Sequence, residues 1–220
     1  MEETNFVLLW KEHYDKIDKS LALNKRILIE TINQKAKSAL QSLSKFKTRG
    51  IITVVIYLII LGSILSYAIA HYSSAANYFI VSMTCIFIIN IIALSDYVKH
   101  LVWANRIDFD GSVTDIQQKL VKLQLSIFRH SRVMVLQFPF WTTFYLSDRW
   151  FPHAVGWEYL VFQGTLTITF TFVSYWLFKN QTIENADKKW LKTLIAGSGG
   201  KDVMKALNYY KEIQEFKQSN

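Results

Sequence analysis

Hydrophobic and polar positions along this chain are sorted on two scales. On the coarse scale, four stretches are nearly free of charge: Ile51 to His71, Asn77 to Ser95, Val133 to Ser147 and Tyr159 to Phe178. The first, IITVVIYLIILGSILSYAIAH, is long enough at about 1.5 Å per helical residue to cross a hydrocarbon layer about 30 Å thick. The second follows after the short turn YSSAA. In the fourth, Thr165, Thr167, Thr169 and Thr171 alternate with apolar residues and locally mimic a strand. A lone strand leaves its backbone unpaired in lipid, so the segment is expected to be a helix with threonine hydroxyls bonded to preceding carbonyls.

The third stretch, VMVLQFPFWTTFYLS, is short for a crossing and contains Pro139. A core helix or a re-entrant segment fits that length as well. Charge placement decides. Residues 1–50 carry ten Lys and Arg, residues 96–132 carry six and residues 179–220 carry eight, whereas the two remaining connections carry only Arg149. If the basic segments share the cytoplasmic side, crossings come in pairs, and the third span accompanies the fourth. The expectation is an all-α polytopic membrane protein with four transmembrane helices, the third kinked at Pro139, and both ends in the cytoplasm.

On the fine scale, the polar segments read as helices. Phe6, Trp10, Tyr14, Ile17 and Leu21 follow three-four spacing, and a second series runs Leu28, Ile32, Ala36, Ala39, Leu43 and Phe46. The phase falters at Asn24, which predicts a bend or break there. Residues 1–50 thus form a cytoplasmic helical segment, residues 51–178 the transmembrane region with a cytoplasmic hairpin at 96–132, and residues 179–220 a cytoplasmic helical tail. The tail is expected to continue the fourth span through NQTIENADKKWLKTLIA and break at GSGG, Gly197 to Gly200. It resumes with a stripe of Val203, Leu207 and Tyr210, with Ile213 nearby.

Composition sharpens this picture. About half the chain is hydrophobic, the net charge is +8, and the charges are segregated rather than spread, which favours a membrane protein over a basic soluble domain; no nucleic acid is expected. Cys85, the only cysteine, lies in an apolar stretch, so no intramolecular disulfide forms. Some fifty hydrophilic residues precede the first apolar run, which argues against a cleavable signal peptide. The connection DRWFPHAVGWEY is aromatic at Trp150, Phe151, Trp157 and Tyr159, as suits a membrane interface. KFKTRG suits contact with anionic headgroups.

Two motifs invite chemistry. DFDGS, Asp108 to Ser112, carries the letters of a dehalogenase-type phosphatase, which needs a buried strand before the first aspartate and a sizeable α/β domain. Here the preceding DYVKHLVWANRI continues the second span. A calcium loop fails too, because Val113 stands where glycine is needed and Lys119 where the bidentate glutamate belongs. Asp110 and Gly111 suit a turn, and Ser112 with Asp115, or Thr114 with Gln117, suits a capping box. Ile116, Leu120, Leu123 and Ile127 then line one face of the next helix. GSGG followed by Lys201 is not a phosphate loop, which requires glycine at 195 and Ser or Thr at 202.

No Asp, Glu, Lys or Arg lies near the middle of any span, so a transporter's proton relay is not expected. Asn90, Gln137 and Gln163 are polar residues that glue helices more often than they line pores. Gly62, Ser66 and Ala70 recur every fourth residue, a small-residue face for close helix packing within the bundle or between copies. His71 and His153 alone make a weak metal site. No catalytic, cofactor-binding or metal-binding residue is assigned.

The N-terminal LWKEHYDKIDKSLALNKRIL, the spans and the DFDGSVTDIQQKL turn resemble those of four-span membrane proteins common in Bacteroidota. The resemblance covers most of the chain and implies a bacterial inner-membrane protein, with a regulatory, anti-sigma-like anchor as one role. The expected function is non-enzymatic: cytoplasmic helices that bind a protein partner or self-associate, with Phe6, Trp10, Tyr14, Ile17 and Leu21 as the candidate face. The alternative is a small homo-oligomeric channel or membrane-perturbing effector built through Gly62, Ser66 and Ala70.

Overall fold

A computed structural model describes the backbone of residues 2–186 and 188–218, with side chains over residues 10–182, 184–186 and 188–209 and at Lys211. It contains six α-helices and, among the described residues, no strand: α1 (Glu2–Ala70), α2 (Asn77–Asn105), α3 (Val113–Met134), α4 (Trp157–Asn180), α5 (Lys189–Ala196) and α6 (Gly200–Gln218). Three of them, α1, α2 and α4, are long and apolar enough to cross a membrane. The chain therefore has the build of a multi-pass membrane protein.

The helix α1 is unbroken for 69 residues, about 100 Å at 1.5 Å per residue. The break expected as one outcome near Asn24 does not occur. One asparagine costs a helix at most about 0.7 kcal/mol relative to alanine, and its neighbours Leu21, Ala22, Leu23, Lys25 and Arg26 are good helix formers.

Residues 133–147 do not form one α-helix. The helix α3 ends at Met134, and 3-10 turns follow at Val135–Gln137 and Pro139–Thr142. Proline explains the change: its ring would collide with the carbonyl of Val135, four residues back, and it offers no N–H. The consequence is reach. The seven 3-10 residues rise about 2.0 Å each, against about 1.5 Å in an α-helix, so the segment extends further than an α-helix of the same length. The segment runs antiparallel to α2 in steady register, with Gln137 against Asn90, Thr143 against Ser82 and Asp148 against Asn77. It thus travels from the middle of α2 to that helix's N-terminal end.

Irregular backbone in an apolar layer survives only where protein covers and satisfies it. On its other flank, α4 does this. Ser174 Oγ donates to the Val135 carbonyl at 2.8 Å, and Gln163 Nε2 donates to the Thr142 carbonyl at 2.6 Å while its Oε1 accepts from the Tyr145 hydroxyl at 2.7 Å. Thr142 and Thr167 hydroxyls meet at 3.1 Å. The threonine back-bonding expected in α4 is present at Thr171, which donates to the Thr167 carbonyl.

The main core brings together the second stripe of α1, the α2–α3 hairpin and α6. Ile32, Ala36, Leu40 and Leu43 of α1 pack with Ala104 and Ile107, with Ile116, Leu120, Leu123 and Ile127 of α3, and with Val203, Ala206 and Leu207 of α6. At the opposite end of α2, Asp148 meets Asn77 and Phe151 meets Tyr78 edge-on. The tail does not continue α4. That helix stops at Asn180, because the side-chain amide of Asn185 takes the Asn180 carbonyl and that of Asn180 turns back to Trp176. The break at GSGG is present. Gly199 has a φ of +82°, and a Cβ there would collide with Leu43, so only glycine lets the turn lie against α1.

Candidate functional site

The hairpin tip holds DFDGS as a structured turn. The Asp110 N–H donates to Asp108 Oδ1 at 3.0 Å, and Ser112 Oγ accepts from the Asp115 N–H at 3.2 Å, capping α3 as its sequence predicts. Ile107 is buried and Phe109 packs on the main core. The Asn33 amide holds the Phe109 carbonyl at 3.3 Å. The apolar letters of the motif clip the tip to α1, while Asp108 and Asp110 face outward. No strand precedes them; α2 does.

The two stripes of α1 have opposite fates. Most of the second lies in the main core, with Ile32, Ala36 and Leu43 buried and Leu28 and Ala39 packed at its edge, while Phe46 is exposed. The first is uncovered within the chain: Trp10, Tyr14, Ile17 and Leu21 are all more than half exposed, as is Ile27 one turn and a half further on. Trp10 and Tyr14 hold their rings 5.5 Å apart. Phe6, the remaining residue of the expected face, lies outside the described side chains, as do Tyr210 and Ile213 of the tail. On the opposite side of this rod, Lys16 pairs with Glu12 at 2.9 Å. The structure thus brings the stripe together on one face and leaves that face open.

The small-residue series of the first span divides. Gly62 lies against the Phe87 ring of α2, where a Cβ would approach to 3.3 Å, but Ser66 and Ala70 are exposed. The polar residues of the spans act as glue within the chain. Asn90 donates to the Ile86 carbonyl at 2.8 Å and reaches Gln137 at 3.4 Å, and Gln163 is placed as above. Among the described residues no group of three or more His, Cys, Asp or Glu is arranged to hold a metal ion.

Sequence reasoning missed a buried ionisable cluster just beyond the apolar segments, where α1, α2 and α3 meet. Lys47, four residues before the first span, is fully enclosed; its ammonium lies over the Tyr97 ring at 4.0 Å and has no hydrogen-bond partner. His100 is equally enclosed, with Nε2 2.9 Å from Ser126 Oγ. His130 Nδ1 stands 3.4 Å from Asp96 Oδ2, and Lys99 holds the other carboxylate oxygen at 3.2 Å. The His130 ring also approaches those of Tyr97 and His100. Gly50 makes room for this cluster, because a Cβ there would strike the Tyr97 ring.

Burial governs the proton affinities. It lowers Lys47 to about 7 against the weaker upward pull of Asp96, and it lowers His100 to about 3 with help from the positive charge of Lys47. His130 is also lowered by burial, although Asp96 opposes this. Asp96 is raised by its own burial, yet His130 and Lys99 together hold it down at about 2. Burial thus brings the Lys47 ammonium, alone in the cluster, down towards neutrality.

Its signal in the sequence is phase. Ile32, Ala36, Leu40 and Leu43 lead by helical spacing to Lys47; Ile86, Asn90 and Ala93 lead to His100; Ile116, Leu120, Leu123 and Ile127 lead to His130. Lys47 and His130 occupy the next position of an apolar stripe, and His100 lies two turns beyond Ala93 on the same face. No known protein family, curated protein or solved structure matches this chain.

Proposed function

We propose that this chain is a non-enzymatic multi-pass protein of the bacterial inner membrane. It crosses four times with both ends in the cytoplasm, and it uses the projecting part of α1 as a docking helix for protein. The observation that carries this reading is the uncovered stripe. Trp10, Tyr14, Ile17 and Leu21 occupy one face of a rod that leaves the bundle, while Ile32, Ala36 and Leu43 of α1, the α3 stripe and Val203 and Leu207 of α6 are closed in the main core. An isolated amphipathic helix is marginal in water and draws its stability from packing. Four aromatic and branched residues in a row are the material of an interface anchor rather than of a solvated face.

The positive charges support the orientation, since the segments that build the main core are also the basic ones. A regulatory, anti-sigma-like anchor is the role that fits a docking helix fixed to a membrane. The lipid bilayer is the second partner, and neither a cofactor nor nucleic acid enters the reading.

A photo-crosslinking amino acid placed at Tyr14 tests it against the same group at Lys19, on the rod's outer side. In intact membranes, Tyr14 should give a discrete protein adduct at least ten times stronger than Lys19. Equal adducts, or none from Tyr14, would overturn the docking reading.

A further inference from the structure

We propose that the occupant of this face is a second copy of the same chain, joined through a parallel coiled coil that runs from Trp10 to Leu28. The proposal rests on the docking reading and adds the identity of the partner.

Spacing comes first. Trp10, Tyr14, Ile17, Leu21, Asn24 and Leu28 are separated by 4, 3, 4, 3 and 4 residues, the alternation of a coiled-coil seam. Because α1 does not break, Asn24 stays on the seam instead of ending it. The positions furthest from the seam are Glu12, Lys19 and Arg26, all charged. At Leu28 the seam reaches the edge of the main core, so the coil would emerge directly from the folded bundle.

Asn24 selects the partner. Against an unrelated apolar groove its side-chain amide would be buried without a mate, which is costly. Across a two-fold axis every seam residue faces itself, so Asn24 meets Asn24 and the two amides bond each other. Such a polar layer also fixes register.

Geometry sets the direction. Two copies inserted alike in one bilayer carry their α1 rods side by side and parallel. In a parallel pair the position flanking the seam at His13 faces the position five residues on, Asp18, in the other copy, where an imidazole N–H can donate to the carboxylate, a contact made twice. Both residues are exposed within one chain.

The test uses the full chain in native membranes with Cys85 replaced by alanine, so that a single introduced cysteine reports. Under mild oxidation, Ile17→Cys and Leu21→Cys should each form a disulfide dimer in more than half of the molecules, and Lys19→Cys in less than a tenth of that. In the Ile17→Cys background, Asn24→Leu should lower the Ile17 cross-link at least two-fold by relaxing the register. Equal cross-linking at seam and outer positions overturns the proposal. Absence of seam disulfides while Tyr14 captures a different protein overturns the second copy and spares the docking reading. If Tyr14 captures nothing, both fall.

Discussion

A lysine ammonium enclosed without a hydrogen-bond partner is held in a form that burial disfavours. Lys47 is in that position, with the Tyr97 ring, the more distant Phe46 ring and the Asp96 carboxylate to offset the loss of water. Unfolded, its amine keeps a proton up to about pH 10.4; folded, it releases the proton near about 7. Between those values the unfolded state binds more protons, so stability climbs as pH rises from 7. The melting temperature in lipid nanodiscs should therefore increase from pH 7 to pH 9. Lys47→Met should melt higher than the wild type at pH 7 and lose that slope. An unchanged slope in the variant would show that Lys47 is not the group responsible. The same residue shows why part of the site escaped the sequence. A lysine within KFKTRG looks like one more cytoplasmic charge, and only its phase with Leu40 and Leu43 betrays burial. His100 and His130 hide in the same way. Asp108 and Asp110 are the converse: their letters suggest chemistry, and the turn that the sequence implies is what the structure contains.

Among the elements, the segment from Val135 to Ser147 departs most from its sequence reading, and for a local reason. Pro139 rules out a regular helix there, while the apolar composition of the segment carries no record of the partners that satisfy its carbonyls. Those partners are on α4: Gln163, which the sequence marks as helix glue without naming what it holds, and Ser174, which it does not mark. Ser174→Ala removes one bond to the Val135 carbonyl, which retains the Phe138 N–H at 3.2 Å, so a cost of about 1 kcal/mol is expected. Gln163→Leu strands both the Thr142 carbonyl and the Tyr145 hydroxyl, and should cost about 2 kcal/mol. Thr169→Ala, on the exposed side of α4, should change stability by less than about 0.5 kcal/mol. Unfolding titrations of the three variants in mixed micelles check the order. The long helices were legible because their stripes are long and regular. The stop at Asn180 was not, since asparagine side chains end a helix only when a particular carbonyl is within reach.

At the scale of the whole molecule, one arrangement follows from these parts. The projecting rod of α1, the α2–α3 hairpin and the tail helices share one end of the bundle, and the aromatic connection around Phe151 lies at the other. Residues 135–147 make that arrangement by carrying the chain between the two ends without an α-helix. The all-α class and the helical extensions could be read from periodicity and charge alone; the form of the third passage could not, because it depends on contacts from two other helices. The central claim is that this passage crosses the bilayer and leaves every basic segment on the inner side. Single cysteines at Ala154, Ser20 and Lys205, all exposed, test it in the Cys85→Ala background with a membrane-impermeant maleimide on intact spheroplasts. Ala154→Cys should label at once, and Ser20→Cys and Lys205→Cys only after permeabilisation. Protection of Ala154→Cys alongside the other two would contradict the claim.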